Sequence, residues 1–113
     1  YWKEKIKQRY IELKGNTYSN DKFIIRPANS IEDMKEEGEQ QNNCVYKDYS
    51  EKYANGNTDI YFMRKINSIK KSLVTVEVLD GKIRQKYQKC NQIVTKEQDK
   101  FLDLWENKVL KAA

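Results

Sequence analysis

Apolar residues recur at helical spacing at Trp2, Ile6, Tyr10 and Leu13, while Lys3, Lys5, Lys7 and Arg9 fall between them. That spacing predicts an amphipathic first helix with a basic outer face. The turn formers of Gly15-Asn16-Thr17-Tyr18-Ser19-Asn20-Asp21 end it, and Phe23-Ile24-Ile25-Arg26 reads as a short strand stopped by Pro27, which cannot donate to a ladder. Ser30 suits the N-cap of a helix from Ile31 to about Gln41, with Glu32 and Asp33 placed where the helix dipole favours negative charge. A shorter helix is expected over Ser50 to Asn55, closed by Gly56. From Thr58 to Lys65 the apolar residues alternate to both sides, Ile60 and Phe62 one way and Tyr61 and Met63 the other. This predicts a central strand covered on both faces.

The clearest local signal is Leu73 to Leu79, Asp80-Gly81, then Lys82 to Tyr87. An Asp-Gly pair between two β-rich runs predicts a type I′ hairpin, because both central residues need positive φ. A two-residue loop then sets Val78 opposite Ile83, Glu77 opposite Arg84, Val76 opposite Gln85, Thr75 opposite Lys86 and Val74 opposite Tyr87. Gln85 is thereby expected on the apolar side. Thr95-Lys96-Glu97-Gln98 is a capping-box pattern opening a last helix with a stripe of Phe101, Leu104, Trp105 and Val109. Trp2 and Trp105 are both expected in the core. The order of elements predicts an α+β fold, a small mainly antiparallel sheet with helices packed on it.

The chain's 113 residues fit a single domain, 1–113, of roughly 13 Å radius of gyration. Within it, 1–21 reads as an N-terminal helix and linker before a core of 22–113. A start at Tyr1 instead of Met suggests a piece of a longer protein. No apolar run approaches the ~20 residues of a membrane span and no signal-peptide pattern opens the chain, so a cytoplasmic protein without a membrane partner is expected. Cys44 and Cys90 are the two cysteines and there is no His, too few ligands for a Cys/His metal cage. No phosphate-cradling glycine loop is present either, so neither metal nor cofactor is expected. Catalysis, if any, falls to carboxylate, Tyr, Lys or Cys.

The formal charge of +5 is unevenly spread. Residues 31–41 carry Glu32, Asp33, Glu36, Glu37 and Glu39, an acidic helix suited to a protein partner. Arg64, Lys65, Lys70, Lys71, Arg84, Lys86 and Lys89, with Tyr87, crowd the sheet region, where cations can hold phosphates and a ring can stack bases. The plainer reading of those lysines is a solvated basic face.

Several polar residues sit inside apolar stretches, where an unpaired group costs about 1–3 kcal/mol. Gln85 is expected to join Asn43, Tyr49 or Asn91 in a network, or to meet a ligand. Arg64 suits a phosphate or carboxylate clamp, or a pair with Glu37. Glu77 reads as a general base or as the cross-strand partner of Arg84. Cys44 reads as a nucleophile or as a small buried hydrophobe. Gly38 and Gly56 are expected to serve backbone conformations that other residues reach only at a cost.

Glu37-Gly38, Asn43-Cys44-Val45, Tyr49, the Gly56 turn, the strand Ile60 to Arg64, Thr75-Val76-Glu77-Val78, Gln85, and Asn91 before a Trp-containing helix together resemble the PcfJ-like proteins of conjugative plasmids and phages, over residues 24 to 110. Many members have His before the Cys and Gly after the Val, where this chain has Asn43 and Tyr46. The resemblance implies the C-terminal part of a protein carried by a mobile element and encoded beside transfer or replication functions. Two functions are therefore expected in competition. One is an accessory domain binding nucleic acid or a nucleoprotein partner through the basic residues named above. The other is a small nucleotide- or ADP-ribosyl-transferring enzyme with Arg64, Thr75, Glu77 and Gln85 around one pocket.

Overall fold

The middle of the molecule is the strand Asp59–Lys65, whose residues 60–64 are buried on both of its faces. The computed structural model describes residues 2–111. Six strands lie in sequence order, β1 (Tyr18–Ser19), β2 (Phe23–Pro27), β3 (Asp59–Lys65), β4 (Val74–Leu79), β5 (Lys82–Gln88) and β6 (Gln92–Ile93), each antiparallel to the next. Three helices, α1 (Trp2–Leu13), α2 (Ile31–Gln41) and α3 (Val45–Ala54), cover one face. The other is covered by α4 (Lys96–Trp105), which continues as a wider π turn over Glu106–Leu110. The fold is α+β, with a radius of gyration of 12.8 Å.

The double alternation of β3 divides the core. Tyr61 and Met63 join Val74, Val76, Val78, Phe101, Leu102 and Trp105 on the α4 side. Ile60 and Phe62 join Ile6, Met34, Val45 and Tyr53 on the other. Trp105 stands edge-on to Tyr61 with ring centres 4.7 Å apart and donates its indole N–H to the Asn16 carbonyl at 2.8 Å. An aromatic pair so placed adds about 0.5–1.5 kcal/mol beyond its buried area.

Local signals set the ends of the elements. Ser30 Oγ accepts from the Asp33 amide at 3.0 Å, and Thr95 with Gln98 forms a complete capping box. Asp80 and Gly81 take φ of 53° and 74°, as a type I′ turn requires. Gly56, at φ 77°, turns the chain out of α3.

Four expectations are corrected. Trp2 is 38% exposed while Trp105 is fully buried. Helix α1 turns Ile6 and Arg9 inward instead, because Arg9 donates to the Tyr53 carbonyl at 3.0 Å and binds the Asp59 carboxylate. The short helix begins at Val45, five residues earlier than Ser50, because Asn43 Oδ1 accepts from the Val45 amide at 3.0 Å and opens the turn. Gly38 lies inside α2 without positive φ, so it serves no special backbone conformation; a Cβ there would stand 3.4 Å from that of Tyr46 on α3, in van der Waals contact. In the hairpin, Val78 faces Ile83 as expected, but the register then shifts and Glu77 faces Gln85, Val76 faces Lys86 and Thr75 faces Tyr87. Arg84 is the extra residue of this β-bulge. Gln85 therefore leaves the apolar side for the face of Glu77, and the Glu77–Arg84 pair does not form.

Candidate functional site

The bulge matters because it brings Thr75, Glu77, Gln85 and Tyr87 onto one face of the β4–β5 hairpin. Across from them stand Asn43, Cys44, Asp48 and Tyr49 from the start of α3. Between the two walls lies an open cleft of about 400 Å³, lined also by the buried Val45 and Ile60 and by Asn91. Cys90 and Asn91 both take left-handed backbone, at φ 59° and 60°, and Asn42 donates to the Cys90 sulfur at 3.5 Å, which ties the α2–α3 turn to the turn after β5.

The cleft's polar groups are held from behind. Glu77 accepts from Thr58 Oγ1 at 2.6 Å through one carboxylate oxygen and from the Gln85 amide at 3.0 Å through the other. The same Gln85 nitrogen donates to the Tyr49 hydroxyl at 3.2 Å. Lys52 stands over one face of the Tyr49 ring, 5.2 Å from its centre. Asn43 donates to Thr75 Oγ1 at 3.3 Å, and Thr75 in turn donates to Glu37 at 2.7 Å.

Behind Thr75, Glu37 and Arg64 form a buried ion pair at 2.8 Å, with side chains 0% and 5% exposed. Burial pushes the Glu37 carboxyl above its ordinary value, opposed by Arg64 and by the hydrogen bond from Thr75. The Arg64 guanidinium also covers the Phe62 ring at 5.2 Å.

Of the four residues expected around an enzymatic pocket, Thr75, Glu77 and Gln85 line the cleft and Arg64 does not. Arg64 is 4% exposed and pairs with Glu37, the second of its two expected readings. Asn43, Tyr49, Gln85 and Asn91, expected as a polar network, all line the cleft, and Tyr49 and Gln85 bond directly. Cys44 is exposed at the rim, which corrects its reading as a buried hydrophobe; both cysteines are free thiols.

The expected basic residues divide. Lys65, Lys70, Lys71, Arg84 and Lys89 are exposed, Tyr87 stands in the cleft wall, and Lys86 is bound to Asp99 of α4. Lys65 ends β3, Lys70 and Lys71 precede β4, and Lys89 follows β5, so the antiparallel register gathers these four at one end of the sheet. Asn91, which lines the cleft, follows β5 at that same end. The residues the sequence reasoning missed are Thr58 and Asp48; Asp48 lies four residues before Lys52 on a helix whose start was set too late.

Among the described residues, no helix is long and apolar enough to cross a membrane. No curated protein and no solved structure matches the chain. A family model described as PcfJ-like protein matches residues 2–102, beginning within α1 and taking in every residue of the cleft. The chain belongs to the PcfJ-like protein family.

Proposed function

We propose that this is an accessory domain of a cytoplasmic protein carried by a conjugative plasmid or phage, and that it binds single-stranded nucleic acid with one base held in the cleft. The observation that carries this reading is the cleft's lining. Amides of Asn43 and Gln85, the Glu77 carboxylate and the Tyr49 hydroxyl face a space bordered by the Tyr49 and Tyr87 rings. Unstacked bases are recognised by this combination of hydrogen-bonding edges and aromatic faces.

The carboxylates Glu77 and Asp48 make the cleft itself a poor seat for phosphate. Phosphates belong outside it, on the lysines gathered at the adjoining end of the sheet. Three members of the enzymatic set share the cleft, but the reading needs Arg64, which is tied behind the wall.

The test is fluorescence anisotropy with a labelled single strand of about 12 nucleotides. Affinity should fall linearly, on logarithmic axes, as salt rises from about 50 to 200 mM. Absence of binding at the low-salt end, or affinity indifferent to salt, overturns the reading.

A further inference from the structure

We infer that the cleft prefers guanine to the other bases, an inference that rests on the nucleic-acid reading above. It follows from which hydrogens in the cleft are already committed. Gln85 Nε2 donates to both Glu77 Oε1 and Tyr49 Oη, so both of its hydrogens are used. Rotating the amide by half a turn would set its oxygen against the Glu77 carboxylate, so this orientation is imposed electrostatically. Gln85 therefore presents only its carbonyl oxygen, an acceptor.

Glu77 receives one donor on each oxygen, and each oxygen keeps a second acceptor site. Tyr49 accepts from Gln85 and so has its own O–H to donate. The Tyr49 hydroxyl and the Glu77 carboxylate stand on different hydrogens of one amide nitrogen, so the two flank the Gln85 amide from opposite sides. The carboxylate therefore reads as two adjacent acceptors, with the Tyr49 donor set apart from them.

The pairing edge of guanine carries the complement of that carboxylate, two adjacent donors, N1–H and the N2 amino group, next to its acceptor O6. Adenine and cytosine each offer one donor group on that edge, and thymine has a single N–H between two acceptors. Those bases would set lone pairs against the carboxylate. A carboxylate left facing an acceptor in a partly dehydrated cleft is a penalty as well as a lost bond.

The experiment measures affinity for all-thymine strands carrying one central guanine, adenine, cytosine, thymine or hypoxanthine. Guanine should bind roughly tenfold tighter than thymine. Hypoxanthine, which lacks only the N2 amino group, should lose most of that advantage. Glu77→Gln, which exchanges one acceptor for a donor, should abolish the guanine preference; if that variant does not fold, the hypoxanthine comparison in the unaltered chain decides. Equal, salt-sensitive affinity for all five strands, or a preference for another base, overturns the guanine inference while leaving the nucleic-acid reading intact. Failure of every strand to bind at low salt overturns both.

Discussion

Thr75 Oγ1 donates to Glu37 at 2.7 Å, and this bond joins the wall of the cleft to the buried Glu37–Arg64 pair. The same hydroxyl accepts from Asn43, so a chain of polar groups runs from the cleft surface through Thr75 to two charges inside the protein. In such low-dielectric surroundings each bond strengthens its neighbours, and the network holds the cleft wall in one arrangement.

Arg64→Met removes the cation and leaves the Glu37 carboxylate buried with no countercharge, held by its Thr75 hydrogen bond. Loss of a buried partner costs about 3–5 kcal/mol, and equilibrium urea unfolding should register a loss of that size. Replacing both, as Glu37→Leu with Arg64→Met, should recover much of it. A cost within about 1 kcal/mol for the single change is the magnitude of a surface pair and would contradict the buried network.

The tyrosines inside the core predict the alkaline limit of the fold. Burial pushes Tyr61 up to about 12 from 10.0, and raises Tyr53 as well, whose hydroxyl donates to the Ala28 carbonyl at 2.7 Å. Folded-state values above the unfolded ones mean that the folded protein keeps protons the unfolded chain has shed. The stability they contribute is full below pH 10 and is lost as pH rises through about 12. Tyrosinate absorbance should therefore show a late component that coincides with unfolding by circular dichroism. Titration of every tyrosine before the fold is lost would contradict this.

Fold class, the central strand, the hairpin turn and the helix caps were legible because each rests on a short-range pattern: the Asp80-Gly81 turn, the Ser30 and Thr95 caps, the double alternation of 60–63. The cleft was legible only as a set of residues. Its assembly depends on a bulge at Arg84, and one inserted residue reverses the facing of every side chain after it, so a regular register put Gln85 on the wrong side. Arg9 and Gly38 were misread for a related reason. Arg9 is drawn inward by Tyr53 and Asp59, and Gly38 lies within α2 facing Tyr46 of α3, contacts between residues distant in sequence or set by a turn that periodicity does not show.

Tyr87 separates binding from stability. It is 38% exposed and stands in the cleft wall, so Tyr87→Ala should alter thermal stability little. If its ring stacks on a base, the change should weaken oligonucleotide binding by about 1–3 kcal/mol, seen in anisotropy titrations. Unchanged affinity would remove Tyr87 from the site.

The most direct test of the account is to map bound single-stranded nucleic acid onto the protein by amide chemical-shift perturbation. The account predicts the largest changes at 43–49, 75–77, 85–87 and Asn91, with weaker ones at Lys65, Lys70, Lys71 and Lys89. Perturbations centred on α4, on the opposite face of the sheet, or confined to the lysines with the cleft undisturbed, would contradict it.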